Sequence, residues 1–239
     1  MKHSHILSDM GVFFMKKAVT FAILVLPALC FLLAVRAEAA EFSVLLDAGH
    51  GGEDCGAIGI TSVYEKDLNF KMCQRIGALL REAGISVHYT RETDRLLYTE
   101  EQNVKGQRKK YDLRNRLAAF HEGDDDLLIS IHMNAFGEEK YRGFQVYYEN
   151  RHPQSQRLAE ELQASVVKAL QPWNKREAKA GDSNIYLLAE AKKPAILIEC
   201  GFVSNREECE KLVEEDYQKQ LSFLIFCAII DYRDFLTQG

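Results

Sequence analysis

Phe42-Ser-Val-Leu-Leu-Asp-Ala-Gly-His-Gly-Gly-Glu-Asp-Cys-Gly-Ala-Ile-Gly59 decides the fold. Its first part, 42–46, is a short apolar run of the kind that forms a buried strand. Its second part, 49–59, holds five glycines and reads as a loop. His50 sits at the mouth of that loop. In an open α/β sheet the loops that follow strands are where sites are built.

The rest of the chain repeats this alternation. From Glu65 the apolar positions Leu68, Met72, Ile76, Leu79 and Ala83 recur at three- and four-residue steps, which predicts an amphipathic helix with Gly84 just past its end. A second strand is expected over 85–90 and a long polar excursion across the surface over 91–110. Helix follows at 112–121 and a third strand at 127–131. An edge strand is expected at 143–148, and a helix at 154–170 that Pro172 stops. Short strands are expected at 185–189 and 195–198. Ser204-x-x-Glu207 resembles a capping box, and 217–235 reads as a largely apolar helix whose central run, 221–230, is too short to span a membrane. Alternating elements of this kind imply a single α/β domain: a mostly parallel, twisted sheet with helices on both faces. No internal repeat or linker interrupts it.

Residues 1–40 stand apart. Lys16 and Lys17 precede the uncharged stretch 18–35, and Arg36 is followed by Ala37-Glu-Ala39, a small-x-small pattern suited to signal peptidase. The expectation is an exported protein whose catalytic part is 41–239, with retention of 1–40 as a membrane anchor as the alternative. Leu29 before Cys30 argues against a lipoprotein site, and Met15-Lys-Lys makes a more typical start than Met1. Setting these forty residues aside reduces 30 basic and 35 acidic residues to 26 and 33, a net charge of −7. That balance argues against a nucleic-acid partner, for which a concentrated basic face is expected. One basic cluster, 105–116, reads as a solvated helix face or a surface for an anionic substrate. Cys55, Cys73, Cys200, Cys209 and Cys227 are odd in number and irregularly spaced, with no C-x-x-C, so free thiols are expected.

Three polar groups stand at the ends of apolar runs: His50, His132 in Ser130-Ile-His-Met-Asn134, and Glu199 in Ala195-Ile-Leu-Ile-Glu-Cys-Gly201. Singly, each histidine has an ordinary structural reading. Glu65 has a specific one, since Ser62-x-x-Glu65 is itself a capping-box pattern. Glu199 is harder to explain structurally, because a carboxylate ending a buried strand is costly to desolvate unless it is paired or coordinated. Two imidazoles and a carboxylate suit one Zn²⁺ ion and leave a fourth position for water, with a further carboxylate as proton carrier. Asn134 and Arg116 are weaker candidates for contacting substrate or supporting the site.

Asp47-Ala-Gly-His-Gly-Gly-Glu-Asp-Cys-Gly-Ala57, Glu65-Lys66 with Asn69, Ser130-Ile-His-Met-Asn-Ala135 and Glu199-Cys-Gly-Phe-Val-Ser-Asn205 together resemble the zinc-dependent N-acetylmuramoyl-L-alanine amidases. The resemblance covers the chain from Phe42 onward. It implies an α/β sheet flanked by helices, zinc held by His50, Glu65 and His132, and catalysis by Glu199. The implied reaction cleaves the amide between the lactyl group of muramic acid and L-alanine in peptidoglycan. The length, the leader and the stretch from Thr90-Arg-Glu-Thr-Asp94 to Asp112-Leu-Arg-Asn-Arg116 are most similar to the short spore-cortex branch. That branch prepares muramic-δ-lactam for germination enzymes in the cell envelope, and its resemblance leaves room for an accessory spore protein. Ala48 and Cys200 depart from the family pattern, and Cys200 beside the glutamate suggests oxidation sensitivity. A non-catalytic peptidoglycan-binding scaffold and a zinc peptidase acting within the stem peptide are the rival readings.

Overall fold

In the computed structural model, which describes residues 42–238, the apolar run after Phe42 forms strand β1 (Ser43–Ala48), buried along its whole length. The leader expected over 1–40, with Met1, Met15 and Cys30, lies outside the described residues. Helix α1 (Glu65–Glu82) follows, then β2 (Ser86–Tyr89), α2 (Arg108–Glu122), β3 (Leu127–Asn134) and β4 (Gln145–Tyr148). The chain continues through α3 (Pro153–Ala169), β5 (Lys179–Ala180), α4 (Tyr186–Glu190), β6 (Ala195–Phe202), α5 (Arg206–Val213) and α6 (Glu215–Thr237).

The strands lie in the order β2-β1-β3-β6-β4-β5. The first four are mutually parallel, β4 runs antiparallel to β6, and β5 is parallel to β4. After β1 the chain places β2 on one side of it and β3 on the other. The strand order therefore reverses at β1 and β3, which opens a crevice at their carboxyl ends.

Alternation of side chains along each strand divides the core in two. On one face α1, α3 and α6 pack Leu68, Met72, Ile76, Leu158, Leu162 and Ile225 against Val44, Leu46, Ile129, Ile131 and Ile198. On the other, α2 and α4 bring Leu117, Phe120, Leu187 and Leu188 against Leu45, Leu128 and Leu197. Two residues further along each strand, that second face turns polar at Asp47, Ser130 and Glu199, and His132 lies two beyond Ser130. Apolar residues thus fill the middle of the sheet and polar ones gather at its carboxyl edge.

Several expectations change. Residues 185–189 are not a strand: Tyr186–Glu190 is a short helix. Leu, Ala and Glu favour helix over strand, and a five-residue apolar run carries too little periodicity to show it. Strand β4 is not at the edge of the sheet, because β5 pairs outside it. The 91–110 segment crosses the surface only in part, since Arg91 and Leu96 are buried. The cap of α5 is Asn205, whose side chain accepts from the Glu208 amide, one residue later than the expected Ser204. The capping box at Ser62 does not form: Tyr64 is the N-cap residue of α1, with no side-chain cap. The five described cysteines are free, as expected. Cys200 is fully buried on the face opposite Glu199, and burial pushes its thiol far above the usual range, so it is protected rather than oxidation-prone. No helix among the described residues is long and apolar enough to cross a membrane.

Candidate active site

His50 is the second residue after β1 and adopts a positive φ of 62°. For a residue with a Cβ this conformation is uncommon and is kept only when its surroundings enforce it. Two buried arginines do so through the backbone. Arg116 Nη2 donates to the His50 carbonyl at 2.7 Å, and its Nη1 donates to the Ala48 carbonyl at 2.8 Å. Arg91 donates from Nε to the Ala48 carbonyl at 2.9 Å and from Nη2 to the Lys66 carbonyl at 2.8 Å. Beneath them, the fully buried Asp47 accepts from Arg116 Nη1 at 2.6 Å, Ser130 Oγ at 2.6 Å and Thr90 Oγ1 at 2.7 Å. Burial alone would raise the Asp47 carboxyl, but Arg116 and the two hydroxyls hold it below its ordinary value.

Glu65 begins α1, where the helix dipole favours a carboxylate. Its Oε2 accepts from the Ala57 amide at 2.8 Å and its Oε1 from the Met133 amide at 3.1 Å. Glu65 Oε1 also lies 3.2 Å from His50 Nε2 and 2.9 Å from His132 Nδ1. Burial opposes the Glu65 charge, yet the two imidazoles keep this carboxyl well below the usual range. His50 is affected in the opposite sense: desolvation lowers it, but contacts with Asp54 and Glu65 raise it to about 9.

Two glycines make room for this convergence. A Cβ at Gly49 would collide with the His132 ring, and one at Gly56 would stand 2.6 Å from Glu65 Oε2. His50, Glu65 and His132 form a group able to hold a metal ion. Their chemistry fits zinc: two imidazoles, which bind a metal in their neutral form, and a carboxylate whose Oε1 lies 3.2 and 2.9 Å from the two ring nitrogens, near the roughly 3.3 Å edge of a tetrahedron with bonds of about 2.0 Å. His50 Nδ1 lies 2.8 Å from Asp54 Oδ2. Such an outer carboxylate fixes the ring so that Nε2 faces the centre.

Glu199 stands directly across from His132 in the β3–β6 register. It is half-buried, and its Oε2 is sealed from solvent with no hydrogen-bond partner among the described residues. Burial pushes its carboxyl up to about 7, with His132 lowering it and Glu65 raising it further. A lone carboxyl oxygen buried beside two imidazoles is unusual enough to make Glu199 a candidate for the chemistry.

The structure therefore brings His50, Glu65, His132 and Glu199 to one place. Arg116 is too deeply buried to touch a substrate and acts on the loop that carries His50. Asn134 lies at the β3 irregularity, where its carbonyl accepts from the Val203 amide. Of the basic cluster, Arg108 and Lys109 pair with Glu53 and Asp54 of the His50 loop rather than facing solvent alone. Asp54, Arg91 and Asp47 were not singled out from sequence. For Asp54 the signal was present, an acid four residues after a histidine in a glycine-rich loop, but a loop has no fixed period to interpret it.

Fold and donor set together define an α/β protein with a metal-competent centre at the strand ends. The chain belongs to the N-acetylmuramoyl-L-alanine amidase family, whose sequence profile matches residues 44–231. It is 33% identical over 189 residues to the germination-specific N-acetylmuramoyl-L-alanine amidase of Bacillus subtilis (strain 168), covering 79% of this chain and 78% of that protein. It is 34% identical over 220 residues to the uncharacterized protein YqiI of the same organism, covering 88% and 96% respectively. Among solved structures, it is similar to the CwlD amidase from Clostridioides difficile in complex with the GerS lipoprotein. The two share 36% identity and a TM-score of 0.77, over 81% of this chain and 99% of that one.

Proposed function

We propose that this chain is a zinc-dependent amidase that cleaves the bond between the lactyl group of N-acetylmuramic acid and L-alanine in spore-cortex peptidoglycan, as a step towards muramic-δ-lactam. Residues 41–239 form the catalytic unit, and 1–40 direct export to the cell envelope, by cleavage or as an anchor. The observation that carries the reading is the sealed, unpartnered Oε2 of Glu199, directly across from His132 of the His50–Glu65–His132 group. The similarity to the germination-specific amidase supports the cortex as substrate, and the solved complex with a lipoprotein supports an accessory lipoprotein partner.

In this reading His50 Nε2, Glu65 Oε1 and His132 Nδ1 hold one zinc ion, and Asp54 keeps the His50 ring in register. Bound there, the ion supplies Lewis acidity and draws the pKa of a water towards about 7. Glu199 accepts a proton from the attacking water at its carboxyl oxygen and returns it to the nitrogen of the departing alanine. Burial works against the charged form of this carboxyl, which favours a group that takes up a proton and passes it on. The position of Glu199 across from His132 supports a role beside the ligands rather than among them.

The test combines zinc content with muropeptide mass analysis. Wild-type protein is expected to retain one zinc per chain and to release intact stem peptides beginning with free L-alanine. Glu199→Gln is expected to keep the zinc and lose cleavage by about 10²–10⁴-fold. Shortened stem peptides would make the protein a peptidase. Binding of peptidoglycan without turnover would make it a scaffold, and full activity in Glu199→Gln would end the mechanism.

A further inference from the structure

Across β6 from the metal-competent group lies a second set of side chains that the chemistry above does not use. Gln145 of β4 is directly opposite Glu199 in the antiparallel register, so the two side chains share a face. Gln145 Oε1 accepts from Arg176 Nη1 at 2.8 Å and from the Tyr147 hydroxyl at 3.1 Å. The Arg176 guanidinium is held in place from three sides. Its Nε donates to the Arg142 carbonyl at 2.9 Å, its plane lies over the Phe202 ring at 4.6 Å, and its Nη1 is fixed by Gln145. Its backbone is anchored as well, the amide by Asn174 Oδ1 and the carbonyl by Gln163 Nε2.

A guanidinium so constrained usually answers a carboxylate. Arg176 makes no salt bridge among the described residues, and its Nη2 has no hydrogen-bond partner there. Neighbouring Arg142 differs, since it stacks on Trp173 and pairs with Glu207. Arg176 is half-buried, so the residue is not sealed from solvent. Its bond to Gln145, which stands across from Glu199, places it on the Glu199 side of the site.

The direction matters, and here the argument rests on the amidase reading. The metal-competent group and Glu199 flank the scissile amide. The departing amine must lie at the carboxyl that gives it a proton, so the peptide extends past Glu199 towards β4. The peptide carries free carboxylates. We propose that Arg176 is the residue that recognises the peptide half of the substrate, its guanidinium receiving the first free carboxylate beyond the scissile bond. This pairing would make the site selective for stem peptides in which that carboxyl is ionised rather than amidated. The rival role for Arg176 is purely structural, tying Gln145 to the Arg142 backbone, and it predicts no such selectivity.

The experiment uses disaccharide-peptide muropeptides with the second-residue carboxyl either free or amidated, with kcat and KM measured for wild type, Arg176→Gln and Arg176→Lys. Wild type is expected to favour the free carboxylate by about tenfold or more in kcat/KM, the weight of one charge-assisted hydrogen bond. Arg176→Gln should erase that preference, mainly through KM on the free-carboxylate substrate, with a smaller loss on the amidated substrate. Arg176→Lys should restore part of the preference. Equal losses on both substrates, or an undiminished preference in Arg176→Gln, would overturn the proposal while leaving the amidase reading intact. If Arg176→Gln does not fold, Arg176→Lys decides: a reduced preference supports the assignment and an unchanged one overturns it. Failure of wild type to cleave either substrate would overturn the amidase reading and this proposal with it.

Discussion

Arg116→Met removes a guanidinium that donates to Asp47 at 2.6 Å, to Asp112 at 2.8 Å and to the carbonyls of Ala48 and His50. Arg116 and both acids are at most 3% exposed, so water cannot replace what is lost. Asp47 would keep only the hydroxyls of Thr90 and Ser130, and Asp112 only the Leu97 amide. Breaking one partner of a buried ion pair costs about 3–5 kcal/mol. At about 2–4 °C per kcal/mol for a domain of this size, melting is expected to fall by about 6–20 °C. The sign of the pH dependence sharpens the test. In the wild type the Asp47 carboxyl is held below its ordinary value, so its stabilisation is complete above about 4 and is lost as pH falls. Without Arg116, burial dominates and Asp47 titrates above its unfolded value; the variant is then penalised as pH rises. The gap in melting temperature between the two proteins should therefore narrow from pH 7 towards pH 4. Calorimetry across that range, with Asp47→Asn and the double variant completing the cycle, measures the coupling. A loss under about 1 kcal/mol, a pH-independent gap, or single effects that simply add would refute the reasoning.

Asp54→Asn is expected to leave the fold intact and to weaken zinc binding by about 10–100-fold, read by chelator competition, because the His50 ring loses its orienting carboxylate. Undiminished affinity would return Asp54 to a surface ion pair with Lys109. Gly49→Ala introduces a Cβ into the His132 ring, so the variant should fold with a loss of about 1–3 kcal/mol and hold substoichiometric zinc after dialysis. Full metal content would show that the ring has room to move.

The strand-end positions of His50, His132 and Glu199 were legible because an apolar run that stops at a polar residue marks the same edge in every parallel strand. The alternation of elements likewise carried the sheet and both helical layers. Glu65 was ambiguous, since its carboxylate finds its place through Gly56, Ala57 and Met133, two of them in a loop and one on another strand. Arg91 fell within the expected surface excursion and Arg116 was only a weaker candidate for contacting substrate or supporting the site, because a long basic side chain is usually exposed and nothing local reveals carbonyls more than forty residues away. The strand expected at 185–189 failed for lack of length. The place of β4 was hidden because its partner β6 is distant in sequence.

The hold on the His50 loop also sets an order of assembly. Its backbone clamps join residues separated by 43 and 66 positions, through Arg91 and Arg116. Contacts of that separation form only once the intervening chain has closed, so the strained turn at His50 cannot exist in a short N-terminal fragment. On the proposed zinc reading, ion capture at this centre follows that closure. A chain that held the ion tightly would already have docked β2 and α2 against β1, and metal retention would then read out completed folding.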